Sequence, residues 1–201
     1  MSQDLFTEDY WDDRYASEDR IWSGQPNPQL VDRIAAMAPG RALDVGCGEG
    51  ADAIWLAQQG WTVTALDVSQ VALDRAARHA ADAGVADAIT WHRVDLSAWA
   101  GEPGAYDLVS AQFMYLPSPA LPTLYRQLGD AVAPGGTLLL VGHHPIDEPP
   151  GGHDFPDIRW TPEEAVEWLD ADDWTSIDTA TVRRQGHSGT MHDGIVQATR
   201  A

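Results

Sequence analysis

Short apolar runs alternate along this chain with longer stretches whose apolar residues recur at helical spacing. The runs Ala42 to Val45, Trp61 to Leu66, Ala88 to Val94, Tyr106 to Ala111 and Thr137 to Val141 predict strands. Between them, Ile54, Leu56 and Ala57 mark a helix stopped by Gly60. Ser69 is the expected N-cap of an Ala-rich helix that ends near Gly84, and a further helix is expected around Leu121 to Ala131. Ahead of the first strand, a helical segment from about Thr7 to Ser17 bears Tyr10, Trp11 and Tyr15. The loop Ser23 to Pro28 then leads to a helix with Leu30, Ile34 and Met37 in phase, ended by Pro39-Gly40. Alternation of strand and helix implies βαβ units and a parallel α/β sheet. Thr161-Pro162-Glu163-Glu164 reads as the cap, first-turn proline and acidic first turn of a late helix. The runs Thr175 to Val182 and Gly194 to Thr199 have no helix between them and are expected to pair antiparallel. His143 to Trp160, rich in Pro, Gly, His and Asp, reads as a long loop of the kind that often serves a site.

Composition narrows the picture. At 201 residues the chain is suited to one domain with one sizeable core. No long apolar run is present to span a membrane, and the acidic, aromatic start lacks the features of a signal peptide. A cytoplasmic protein is expected. Cys47, the single cysteine, rules out an internal disulfide framework. Twelve basic residues, all arginine, face 31 acidic ones, for a formal charge of −19. Affinity for nucleic acid draws heavily on basic side chains against phosphates. With its arginines scattered, this chain is not expected to take a polyanion as partner.

Candidate chemistry begins at Leu43-Asp44-Val45-Gly46-Cys47-Gly48-Glu49-Gly50, where an apolar strand runs into three glycines and then a helix. Such glycines permit a tight turn and close approach of a ligand to the backbone. Gly46, Gly48 and Ala51 also satisfy the dinucleotide pattern G-x-G-x-x-G/A, so the loop alone does not separate a nicotinamide cofactor from an adenosyl one. Asp67 ends the second strand, where a carboxylate can accept both ribose hydroxyls or cap the next helix. Asp95 ends the third. Three successive strands thus finish with an acidic residue near the carboxyl edge, where open α/β sheets bind ligands.

The run Ala42 to Gly50, then Leu66-Asp67, Val94-Asp95-Leu96, Tyr106-Asp107-Leu108-Val109 and Pro134-Gly135-Gly136, resembles the class I S-adenosylmethionine-dependent methyltransferases. Trp11-Asp12-Asp13-Arg14-Tyr15 and Ile21 to Asn27 resemble the lead-in of the thiopurine- and tellurite-type small-molecule branch. The resemblance implies a Rossmann-like three-layer αβα sandwich with a seven-stranded, mostly parallel sheet and an antiparallel last strand. Residues 1–38 would form a helical cap, 41–141 the cofactor-binding core, 143–160 the active-site loop, and 161–201 the closing helix and strand pair.

It also implies roles. Gly46, Cys47 and Gly48 would pass under the methionine part of S-adenosylmethionine, and Asp44 would support the loop and the cofactor's amino group. Asp67 would hold the ribose, with Val68 on the adenine. Asp95 would accept from the adenine amino group, with Leu96 beside it. Ala111 and Gln112 would line the cofactor near its sulfonium. Arg14 would meet its carboxylate, and Tyr10, Tyr15 or Trp22 would close the site or simply pack in the core. S-adenosylhomocysteine would be the product, and a small-molecule O, N or S nucleophile the acceptor.

Some acceptors are argued down by what is missing. The position after the fourth strand reads Ala111-Gln112-Phe113-Met114 rather than the Asn/Asp/Ser-Pro-Pro-aromatic run of DNA amino-methyltransferases. No thiol stands where cytosine C5 or arsenic chemistry would need one. His143 and His144 follow the fifth strand, and neighbouring side chains on an extended chain point to opposite sides, so at most one of them is expected to face the pocket. That histidine is a candidate general base. Solvated loop histidines, or a metal site from His143 or His144 with His153 and Asp154, are the other readings. His79 is expected to be merely solvated. A nicotinamide-linked oxidoreductase and a non-catalytic cofactor-binding module stand as alternatives to methyl transfer.

Overall fold

A computed structural model describes residues 6–114, 116, 120–147, 158–186 and 189–201. Thr7 caps α1 (Glu8–Ala16) by accepting from the Tyr10 amide, and Asn27 caps α2 (Pro28–Ile34) by accepting from Gln29. Then come β1 (Arg41–Val45), α3 (Ala51–Gln58), β2 (Thr62–Asp67) and α4 (Gln70–Asp82). The Ser69 hydroxyl caps α4 by accepting from the Ala72 amide at 3.1 Å. Next are β3 (Ile89–Arg93), β4 (Tyr106–Gln112), α5 (Leu121–Asp130) and β5 (Val132–His143). The chain closes with α6 (Pro162–Glu167), β6 (Trp174–Gly186) and β7 (Gly189–Arg200). At α6 Thr161 and Glu164 form a reciprocal capping box.

The strands make one seven-stranded sheet in the order β3-β2-β1-β4-β5-β7-β6. Neighbours from β3 to β5 pair parallel, while β7 runs antiparallel to both β5 and β6. Side chains on β5 alternate between two cores, as a pleated strand requires. Leu138 and Leu140 pack with Leu121, Leu124, Tyr125 and Leu128 of α5. Leu139 and Val141 pack on the opposite face with Leu30, Ile34, Leu56 and Leu73 from α2, α3 and α4. Three layers result, and the parallel strands all present their carboxyl ends to one edge.

Several boundaries differ from expectation, and β6 and β7 run over Trp174–Gly186 and Gly189–Arg200 rather than 175–182 and 194–199. Helix α2 stops at Ile34, and Met37 lies in the following turn, where its amide donates to the Ile34 carbonyl while its side chain still packs on the α2–α3 core. Strand β5 begins at Val132 rather than Thr137, because the Pro134-Gly135-Gly136 turn is an irregularity inside a strand that already pairs with Tyr106.

Candidate functional site

The glycine loop is held down by β2. Both the Gly46 and Cys47 amides donate to the Leu66 carbonyl, at 2.8 and 2.9 Å. Gly50 starts α3 at φ +84°, and a Cβ there would lie 2.8 Å from both the Ala76 Cβ and the Trp91 ring. Gly48 has φ +52°, and its missing Cβ would sit 2.8 Å from the Tyr15 hydroxyl. Glycine at these positions is a requirement of backbone conformation and of close packing together.

Around this loop lie buried carboxylates. Asp44 is 2% exposed; it accepts from the Ala53 amide, and its Oδ2 has no protein partner. Burial, then the charges of Asp52 and Asp67, push its carboxyl well above the usual range. Asp67, also buried, accepts from the Gly48 amide at 2.8 Å and the Ser69 amide at 2.9 Å, and burial raises its pKa despite these bonds. Asp52, from the first turn of α3, accepts from the Asn27 amide at 2.6 Å and is pushed up by burial to about 6. The Cys47 thiol is buried and raised by that burial, which keeps it protonated and unreactive.

The other positions singled out in the sequence divide. Val68 is half-buried beside Asp67, Leu96 is in the core, and Asp95 is exposed, its Oδ1 accepting from the Ser97 amide at 2.9 Å. Ala111 is fully buried at the end of β4. Gln112 donates from Nε2 to the Ser110 hydroxyl at 2.8 Å, and its Oε1 is a second buried acceptor with no protein partner.

Helix α1 forms a cap over the loop. Tyr15 is 3% exposed, and its hydroxyl accepts from the Trp22 indole at 2.9 Å. Asp12 ties α1 to α4 by accepting from the Ser69 hydroxyl and the Val71 amide. Glu49, in the glycine loop itself, accepts from the Ile21 and Trp22 amides, both at 3.2 Å, and pairs with Arg75 at 3.1 Å. Arg14 is exposed, its guanidinium 5.7 Å from the Trp11 ring and 5.9 Å from the Trp22 ring. Tyr10 is half-buried, edge-on to Trp11. His79 is not merely solvated: it is half-buried with Nδ1 3.1 Å from the Glu49 carbonyl. The sequence pattern assigns no role to Glu49, Asp12, Asp52 or Arg75. The only signal for Glu49 was an acidic residue inside a glycine loop.

The two histidines at the end of β5 have different surroundings. His143 stands opposite Asp193 of β7, and its ring lies 4.8 Å from that of Phe113. Burial first, and the Arg184 charge next, lower its pKa to about 4, so it is uncharged at neutral pH. His144, just past the strand, accepts at Nδ1 from the Ile146 amide at 3.1 Å. Asp147 is held by the amide and ring of His192, and those bonds keep its carboxyl below the usual range even against desolvation. His153 and Asp154 lie outside the described residues. Among the described residues no three His, Cys, Asp or Glu side chains converge as a metal site, and no helix is long and apolar enough to cross a membrane.

The site is therefore an acidic, acceptor-rich cradle at the carboxyl edge. Two unpartnered buried oxygens, on Asp44 and Gln112, and the carboxylate of Asp67 suit a ligand that brings positive charge and hydrogen-bond donors.

Comparison with known proteins points the same way. Residues 42–136 match the family described as methyltransferase domain. The chain is 31% identical over 144 residues to a 2-heptyl-1-hydroxyquinolin-4(1H)-one methyltransferase of Mycobacteroides abscessus, covering 64% of this chain and 63% of that protein. It is 37% identical over 112 residues to a ubiquinone biosynthesis O-methyltransferase of Paracidovorax citrulli, covering 54% and 46%. With a 27-O-demethylrifamycin SV methyltransferase of Amycolatopsis mediterranei it shares 31% over 147 residues, covering 71% and 52%. The matched stretch thus spans between about half and three fifths of these relatives' own lengths. Among solved structures, TehB from Haemophilus influenzae superposes with a TM-score of 0.69 at 20% identity, covering 96% of this chain and 67% of that one, which shows a shared fold.

Proposed function

We propose, on the premise that residues 42–136 are a methyltransferase domain of class I fold, that the chain transfers a methyl group from S-adenosylmethionine to a small-molecule nucleophile. The observation that carries this reading is the buried acidic cradle, above all the unpartnered Asp44 Oδ2 beside a glycine loop of positive φ. The cofactor bears a sulfonium and an ammonium against one carboxylate, so its net charge is opposite to that of the cradle. A nicotinamide dinucleotide would instead bring two phosphates to the glycine loop beside the buried Asp44, with the nearby Arg75 already paired to Glu49.

In this reading Asp44 takes the cofactor's amino group and Asp67 the ribose hydroxyls. Gly46, Cys47 and Gly48 run under the methionine part, Val68 and Leu96 flank the adenine, and Asp95 accepts from its amino group. Ala111 and Gln112 lie beside the sulfonium. Tyr10, Arg14, Tyr15 and Trp22 belong to the cap that excludes water. When bound, the cofactor supplies an already activated methyl group. The chain's main task is then alignment, a contribution of roughly 7–11 kcal/mol. His143, uncharged above about pH 4, is the group we assign to accept the hydrogen bond of the acceptor's O–H or N–H; at that pKa it orients the nucleophile more than it ionises it. His144 takes no part. Oxygen is the favoured acceptor atom, supported by two relatives whose names specify O-methylation or an O-demethylated substrate.

Calorimetric titration with S-adenosylmethionine, S-adenosylhomocysteine and NADH tests the assignment. Micromolar binding of the two adenosyl compounds and none of NADH is expected. A folded sample that binds neither adenosyl compound refutes it. Release of S-adenosylhomocysteine with an acceptor then separates an enzyme from a passive binding module.

A further inference from the structure

The carboxyl edge holds a second group of side chains that the cofactor assignment does not use. Arg184 of β6 donates from Nε to both oxygens of Asp193, at 2.8 and 2.9 Å. Asp193 is 1% exposed, whereas the Arg184 side chain is 30% exposed. The buried carboxylate therefore grips only the inner side of the guanidinium. Its terminal Nη groups meet no acceptor among the described residues. The guanidinium lies over the Phe113 ring, 5.1 Å from its centroid, and the His143 ring lies 4.8 Å from the same ring.

Phe113 is held there at a cost. Its φ is +49°, the one positive value outside glycine among the described residues, and its amide is tied to the Val141 carbonyl at 2.8 Å. A bulky residue in that region is strained, and such strain collects where a side chain must be aimed. The residue immediately before it is Gln112, with its buried free oxygen. Arg75, Arg93 and Arg200 are committed to carboxylates, of Glu49, of Glu8, and of Asp130 and Asp173. Arg184 differs in that Asp193 grips its Nε and leaves the outer pair of amino groups open among the described residues.

A guanidinium seated on an aromatic ring, steadied from behind, and open at both terminal nitrogens is a fork for an oxyanion. We infer that Arg184 and Phe113 form the acceptor subsite and select flat acceptors that carry an anionic oxygen, with His143 beside the nucleophile. This deepens the methyl-transfer reading and rests on it. On a chain of formal charge −19, an anion would find little other reason to settle.

The test uses naphthoate and naphthamide, flat probes of similar size that differ in charge, titrated into the full chain with and without saturating S-adenosylhomocysteine. Naphthoate is expected to bind at least about tenfold more tightly than the amide, the margin of one charge-assisted bond. Arg184→Lys keeps a cation for Asp193 but loses the outer fork; it should bring the two probes to within about twofold while leaving S-adenosylhomocysteine affinity unchanged. Phe113→Leu should weaken both probes together. Equal binding of acid and amide to the unaltered protein, no binding of naphthoate at millimolar concentration, or a preference that survives Arg184→Lys overturns the proposal. Should S-adenosylhomocysteine itself fail to bind, the cofactor reading falls, and the probe preference of the free protein still decides the subsite.

Discussion

In the proposed assignment Asp67 serves two kinds of partner, backbone and ribose, with one carboxylate. Each oxygen already accepts one backbone N–H, from Gly48 and from Ser69, so it shapes the loop before any ligand arrives. Asp67→Ala should therefore weaken S-adenosylmethionine by roughly tenfold or more and also lower stability by about 1–3 kcal/mol, since two buried donors are left unpaired. Calorimetry and thermal melts on the same variant check both; unchanged affinity would remove the ribose assignment even if stability fell. The two histidines make a sharper contrast. His143→Ala should reduce turnover well over tenfold, because it faces Phe113 and Asp193, whereas His144→Ala should leave it within about twofold. Equal, small losses would return His143 to a packing role. Strand alternation alone sets the expectation that the pair splits. That His143 lies against Phe113 and opposite Asp193 was not legible, since it depends on the register of β5 against β7, a contact distant in sequence.

At the scale of elements, order and type were legible because period and punctuation agreed: apolar runs, Ser69 and Thr161 as caps, glycines after strands. What lay hidden was tertiary. Nothing local says that Glu49 hooks the 21–22 backbone, that Asp12 reaches α4, or that Arg184 lies over Phe113. The cap is the element most dependent on such bonds. Glu49→Gln should loosen it, since a weaker acceptor replaces a charge shared by two amides and Arg75. Faster hydrogen exchange at residues 21–22 and a several-fold faster release of S-adenosylhomocysteine are expected, with β1 and β2 unaffected. Exchange that stays slow would mean the cap is held by Tyr15 and Trp22 alone. Gly50→Ala tests the seam between α3 and α4. A methyl group 2.8 Å from Ala76 and Trp91, on a backbone at φ +84°, should cost about 2–4 kcal/mol, the sum of overpacking and a left-handed alanine, read from chemical denaturation.

For the whole molecule, the buried charges set opposing slopes of stability against pH. Asp52 has a folded pKa of about 6, above its ordinary 3.8. Its contribution is present below 3.8 and is lost as pH rises through about 6; Asp44 and Asp67 are displaced in the same direction. His143 has a folded pKa of about 4, below its ordinary 6.5. Its contribution is present above 6.5 and is lost as pH falls through about 4. A cationic ligand acts on the first slope only. By bringing positive charge to carboxyls that burial has raised, it pulls the Asp44 and Asp67 pKa values down, and protons must leave on binding. S-adenosylmethionine affinity should accordingly rise with pH over the range in which the raised carboxyls ionise, with net proton release visible as binding enthalpies at a fixed pH that vary with the buffer's ionisation enthalpy. The acid probe of the Arg184 subsite should show no such release, because it brings no positive charge to the buried carboxyls. Proton release on binding the cofactor but not the acid would locate the two ligands in electrostatically separate halves of one edge. Release on neither would mean that the acidic cradle does not face the cofactor.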